Sequence, residues 1–196
     1  MARTSSAAAR PTLDRSTLIR VAADEADRVG WANLTLSEVA RQVDRHVTSM
    51  YAHVDGLDGL RREVALLALG ELSDEVWRAA MGRVREDALA AIAEVYRRFG
   101  EQHPGRVTAI MTASHHGDDE MTAAGARLAE PIRATFRSFG LDDEAVALAH
   151  RVFSATIDGF VRAEATDQYT PDNADAAFHQ LVQLFVVALS TGQWPG

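Results

Sequence analysis

The chain has 196 residues, no cysteine, and 20 basic side chains against 28 acidic ones, a net charge of −8 at pH 7. Without cysteine there is no disulfide, zinc-thiolate or thiol-nucleophile chemistry, and the acidic total excludes a protein that coats nucleic acid indiscriminately. No stretch reaches the roughly 18–20 apolar residues of a membrane span, and no apolar run follows the N-terminal arginines as in a secretory signal, so a cytoplasmic protein without a membrane partner is expected.

Residues 1–12, with Arg3, Arg10, an alanine run and Pro11, read as a flexible arm. From Asp14 to Val29 the apolar residues Leu18, Ala22, Ala26 and Val29 recur at spacings of three and four, the stripe of an amphipathic helix. Gly30 ends it. Thr35-x-x-Glu38 is a capping box, in which each side chain meets the other's free backbone N–H. It opens a short helix that buries Leu36, Val39, Ala40 and Val43. Asp44, Arg45 and His46 make a turn, and a second short helix is predicted over 47–53, with Met50 and Val54 inward. Asp55-Gly56 breaks the chain, and a long helix runs from near Leu57 toward Trp77. Further helices are predicted at 83–100, 105–115, 119–139, 142–165 and 174–191. Only five prolines occur, and the segments between them are rich in the strong helix formers Ala, Leu, Arg and Glu. The fold class is all-α: an N-terminal three-helix helix-turn-helix domain (13–58) joined by a long helix to a larger helical ligand-binding and dimerisation domain (59–196).

Every basic residue is arginine, and the charge is unevenly spread. Residues 1–70 hold nine arginines and nine acids, so this third is neutral and the whole net charge lies beyond it. A three-helix unit with two short helices and a tight turn matches helix-turn-helix DNA binding, where the second helix enters the major groove.

The segment Leu34 to Val54 resembles the DNA-binding domain of the TetR family of bacterial transcriptional regulators. Gly30-Trp31 stands where that family has Gly-aromatic, Val39-Ala40 where it has Leu-Ala, Tyr51-x-His53 at the end of the recognition helix, and Leu60 in the fourth helix. The likeness covers residues 14–66. Beyond them it rests on length and helical content, with Phe153…Asp158-Gly159 similar to a Trp…His-Gly pattern of some C-terminal domains. Asp44 replaces the usual turn glycine, Arg45 the aliphatic residue after it, and Leu57 a lysine that meets phosphate.

The resemblance implies a dimer on a near-palindromic double-stranded operator, released by a small molecule. By position, Thr35 caps a helix and offers N–H groups to a phosphate. Arg45, His46, Val47 and Thr48 begin the recognition helix, where Arg45 can read guanine and the Val47 and Thr48 methyls can touch thymine. Tyr51 and His53 fall where the family places phosphate contacts. Arg3 and Arg10 are candidates for the minor groove.

In the larger part, the last two helices are apolar more than half way round, which suggests core on one side and a partner copy on the other, with Phe160, Val161, Phe178, Leu181 and Phe185 at the interface. By resemblance, a pocket for a largely apolar effector lies among Trp77, Phe99, His103, Met111, His115, Met121, Phe136 and Phe153. His115-His116-x-Asp-Asp-Glu lacks a His-x₃-His spacing, so no metal is expected, and no cofactor. Nucleophile elbows, phosphate loops and Glu-x-x-His pairs are missing, so no enzyme is expected. The alternative is a helical protein-interaction module that no longer binds DNA specifically.

Overall fold

The computed structural model describes residues 14–114, 117–165, 171–192 and 194. Among them the elements are all helical: α1 (Arg15–Val29), a 3₁₀ turn (Trp31–Asn33), α2 (Leu36–Gln42), α3 (Val47–Met50), α4 (Gly56–Ala80), α5 (Arg85–Gln102), α6 (Pro104–Thr112), α7 (Asp119–Arg137), α8 (Asp143–Ala165) and α9 (Pro171–Ser190). The arm, Arg3, Arg10, His115 and His116 lie outside the described residues.

The local signals explain the ends of α1. The Asp14 carboxylate accepts from the Thr17 N–H at 2.7 Å and stays below its ordinary pKa through that bond and those of Ser16 and Thr17. Gly30, with φ of +87°, returns its N–H to the Ala26 carbonyl. Between these caps Leu18, Ala22 and Ala26 face inward as the stripe predicts, joined by Ile19 and Ala23. The capping box at α2 is half closed. Thr35 Oγ1 accepts the Glu38 N–H at 3.3 Å, but the Glu38 carboxylate turns to Arg41 and Arg28.

The turn after α2 has a specific geometry. The Asp44 N–H reaches the Arg41 carbonyl and the Arg45 N–H the Ala40 carbonyl, at 3.2 and 2.9 Å. That pair of bonds is a Schellman ending, and it needs a left-handed residue. Asp44 takes that conformation with φ of +49°. Asp is one of the few side chains that tolerates it. The recognition helix is shorter than predicted. α3 ends at Met50, whose carbonyl accepts both the His53 and the Val54 N–H, so the predicted last turn over 51–53 winds into tighter turns instead. Met50 and Val54 are buried as expected.

Other ends move by two or three residues. The fifth helix begins at Arg85, held by Ser138 Oγ at 3.0 Å, and continues to Gln102. The sixth starts on Pro104, whose missing N–H costs nothing in a first turn, and stops at Thr112. α7 ends at Arg137, and α8 begins after Asp142, whose carboxylate caps the Ala145 N–H at 2.9 Å. α9 begins at Pro171 and ends at Ser190.

α4 is about 37 Å long at 1.5 Å per residue. It passes from the small N-terminal unit into the larger one and buries Leu60, Val64, Leu69, Leu72 and Val76. The larger unit centres on a run of rings: Phe136 on α7 meets Phe153 on α8 edge-on at 5.8 Å, and Phe153 meets Phe185 on α9 at 5.3 Å. Such edge-to-face pairs add about 0.5–1.5 kcal/mol each beyond their burial.

α6 seals the two units together. A side chain at Gly105 would run into the Ala26–Asp27 backbone, so α6 and α1 touch through main chain. Beside that contact the buried Arg106 guanidinium reaches Asp27 at 2.8 Å, Asp24 at 2.5 Å and Glu71 at 3.3 Å. Its backbone N–H also donates to Asp27, at 2.9 Å.

Candidate nucleic-acid interface and regulatory helices

The helix-turn-helix leaves its predicted contact residues wholly or partly at the surface. Thr35, His46, Thr48 and Tyr51 are exposed, and Arg45, Val47 and His53 are partly so. Tyr51 is 61% exposed, so most of its side chain faces solvent. His53 is tied to α1 through its carbonyl, which accepts from Arg15 Nε at 3.2 Å. Arg45 Nη1 donates to the Asp44 carbonyl at 3.3 Å. Together with Ala40 and Asp44, the residues Arg45, His46 and Val47 line a groove that also takes in Ser37, Arg41 and Ser49. Those last three were not predicted. Ser37 and Arg41 are four residues apart on the outer side of α2, so helical spacing alone could have added them once the inner face was assigned to Val39 and Ala40.

The predicted pocket residues do not converge. Phe99, Met121, Phe136 and Phe153 are each almost wholly buried in close-packed core, and the ring contacts above account for the last two. His103 lies in the ionic cluster at the α1–α6 junction, with Nδ1 3.1 Å from Asp27 and 2.5 Å from Arg106. Trp77 is 42% exposed and plays a backbone role. Pro131, in the middle of α7, has no N–H for the Arg127 carbonyl one turn back. Trp77 Nε1 donates to that carbonyl at 3.1 Å, across from α4. Met111 lines a cavity between α6 and the turn after α1.

The apolar faces of α8 and α9 divide differently from the prediction. Phe160, Val161, Phe178 and Phe185 are buried within the chain, Phe160 against Phe178 at 5.3 Å, and Leu181 is partly buried. The large apolar side chains left outside on these helices are Leu148 and Val152 of α8 and Leu184 and Val187 of α9. The reason is the width of the apolar sector. With both faces apolar, periodicity cannot say which one the chain's own core takes.

In three ionisable groups of the larger unit burial is the leading cause of a shifted pKa. Burial pushes the Asp158 carboxyl up to about 6, against a smaller opposing pull from Arg162. Burial, and then the Asp158 charge, raise the Tyr96 hydroxyl. His150 is lowered by burial and by Arg133 and Arg151. At the start of α7 the Arg62 guanidinium, 2.5 Å away, and the Met121 N–H hold Asp118 down at about 2. Among the described residues no group of three or more His, Asp or Glu side chains is arranged to hold a metal ion. No described helix is long and apolar enough to cross a membrane.

A family model described as "Tetracyclin repressor-like, C-terminal domain" matches residues 89–185. The chain is 36% identical to an HTH-type transcriptional regulator of Mycobacterium tuberculosis over 176 residues, covering 89% of this chain and 81% of that one. Two solved structures share the fold. ActR of Streptomyces coelicolor in complex with (S)-DNPA has a TM-score of 0.69 at 20% identity, covering 92% of this chain and 98% of that one. A TetR variant of Acinetobacter baumannii AYE in complex with minocycline also has a TM-score of 0.69 at 20% identity, covering 91% and 97%. A helix-turn-helix closed by a Schellman turn, a long connecting α4 and a matching C-terminal domain lead to one conclusion: the chain belongs to the TetR family of transcriptional regulators.

Proposed function

We propose that the chain is a repressor that binds a near-palindromic operator as a homodimer and is released by a small molecule. The observation that carries this reading is the exposed start of α3. His46 and Thr48 are exposed and Arg45 and Val47 partly so, Val47 resting one side on the core, while Met50 and Val54, just behind them, are anchored in it. A rigid base with a polar, partly apolar tip suits base-edge contact in the major groove. Thr35, Tyr51 and His53 flank that tip and serve as phosphate contacts.

Two recognition helices must be spaced about 34 Å apart to meet successive grooves, which calls for a two-fold dimer. Leu148, Val152, Leu184 and Val187 form the outward apolar face that a second copy covers, and the acids beyond residue 70 keep the rest of the molecule off the phosphates. The effector shifts the population toward a conformation in which the two α3 helices no longer match the grooves. The relatives bound to (S)-DNPA and to minocycline support small-molecule control of this kind.

Mobility-shift titration against the DNA flanking the protein's own gene tests the reading. Specific binding is expected to fall steeply with salt. Arg45→Ala is expected to weaken the specific complex by about 1–3 kcal/mol and to relax preference at a single base position. Absence of specific binding at low salt would instead favour a protein-interaction module.

A further inference from the structure

The cavity beside α6 spans both units of the protein. It measures about 390 Å³ and is walled by Trp31, in the turn after α1, by Pro104, Val107 and Met111 of α6, and by Val161 and Ala165 at the end of α8. It exists because of two glycines. Gly105 draws α6 onto the α1 backbone, and Gly100 leaves room that Val161 enters, so each helix is pulled to one side. The other flank of α6 is left facing the ring of Trp31, the edge of Gly30 and the end of α8 at Val161, Arg162 and Ala165. The volume and apolar walls suit a small-molecule site.

Its polar groups narrow the ligand class. Thr108 Oγ1 donates to the Pro104 carbonyl at 2.8 Å, and Thr112 Oγ1 donates to the Thr108 carbonyl at 2.7 Å. Both hydroxyl protons are therefore committed within the helix, and each oxygen offers the cavity only its remaining lone pair. A matching ligand brings a donor. Arg162 in the lining turns away a cationic ligand, and its charge is already drawn to Asp158 one helical turn back, so the site does not call for an anion.

We propose that this junction cavity binds a small uncharged aromatic or alicyclic molecule carrying a hydroxyl. Its apolar body lies against Trp31, Val107 and Met111, and its hydroxyl donates to Thr108 or Thr112. Trp31 belongs to the segment between α1 and α2, so the bound molecule touches the DNA-reading unit directly. The coupling to DNA rests on the repressor reading above, whereas the site itself does not.

The full chain is titrated with 1-naphthol by calorimetry and by tryptophan emission. One saturable site per chain is expected. 1-Methoxynaphthalene, which has no donor, is expected to bind about threefold to tenfold more weakly, the loss of one neutral hydrogen bond. Met111→Trp, and Val107→Phe as a second filling variant, are expected to weaken binding at least about tenfold while helicity and melting are retained, because each occupies the apolar volume. Trp31→Phe is expected to keep binding but lose most of the emission change. No saturation by the folded protein, or unchanged affinity in both filling variants, would overturn the site. Tighter binding of 1-naphthoate than of 1-naphthol would overturn the uncharged class. A chain that binds 1-naphthol but no operator leaves the site standing and sinks only the repressor reading. An operator complex that 1-naphthol does not loosen overturns the coupling through Trp31.

Discussion

Trp77 shows how one side chain can serve another residue's backbone. Proline inside a helix leaves a carbonyl without its donor, and in α7 that carbonyl belongs to Arg127. The Trp77 indole fills the gap from α4. Trp77→Phe is therefore expected to destabilise the chain by about 1 kcal/mol or somewhat more, since it removes a hydrogen bond along with its donor. With Pro131→Ala, residue 131 regains an N–H and the carbonyl a local partner. The cost of Trp77→Phe should then shrink, and a double-mutant cycle by urea unfolding measures the difference. Asp158 gives a second prediction. Its carboxyl is raised from 3.8 to about 6 by burial, so between those values the native state holds a proton that the unfolded chain has released. Stability from this group is full at low pH, falls as pH rises from about 4 to about 6, and stays lost at pH 7. Asp158→Asn should raise the melting temperature at pH 7 and narrow the gap between pH 5 and pH 7 seen in wild type. An equal gap in both proteins would show that Asp158 is not its source.

Between elements, the deciding contact is α1 against α6. The two helices meet through the Gly105 backbone, and Arg106 gathers Asp24, Asp27 and Glu71 around one buried guanidinium. Arg106→Met keeps much of the stem's volume but leaves Asp27 facing a low-dielectric site with its main cation gone. Removing one partner of such a group costs about 3–5 kcal/mol when fully buried and less where water reaches it, as at Asp24. We expect a loss of about 2–3 kcal/mol in equilibrium unfolding, with the helical content of the folded state retained. The same contact explains why His103 is not free to line a pocket: its ring is committed to Asp27 and Arg106. Short-range signals gave the end of α1, the cap of α2 and the break before α4, because caps and breakers act within a few residues. They missed the length of α3, since a helix of four residues draws its stability from Met50 and Val54 in the core rather than from its own periodicity.

At the scale of the molecule, charge and apolar surface are separated. The N-terminal third is neutral by formal charge, with nine arginines against nine acids, while the whole net negative charge lies in the rest. The outward face of α8 and α9 carries Leu148, Val152, Leu184 and Val187. Leu184, the most exposed of the four, is the test position. Leu184→Glu places a charge in the middle of the proposed dimer seam and should convert a dimer to a monomer in sedimentation velocity, with little change in helicity, and should weaken operator binding through lost symmetry. A dimer that persists in Leu184→Glu would move the seam elsewhere.

From the sequence alone came the all-α class, the stop of α1, the cap of α2, the helix-turn-helix and its family, because each depends on residues a few places apart: Gly30 after Val29, Thr35 with Glu38, Asp44 in its turn. Only the tertiary structure decided what the large apolar residues do. Phe136 and Phe153 became core, Trp77 a donor to a proline-orphaned carbonyl, Phe178 and Phe185 interior rather than interface, and Leu184 and Val187 surface. A hydrophobic side chain gains by burial against any apolar surface, and which one it packs on in the native fold depends on partners tens of residues away which no local pattern encodes. The cavity at Trp31 is of the same kind. It arises where Gly100 lets α5 meet α8 closely and Gly105 lets α6 meet α1, with a space left beside them.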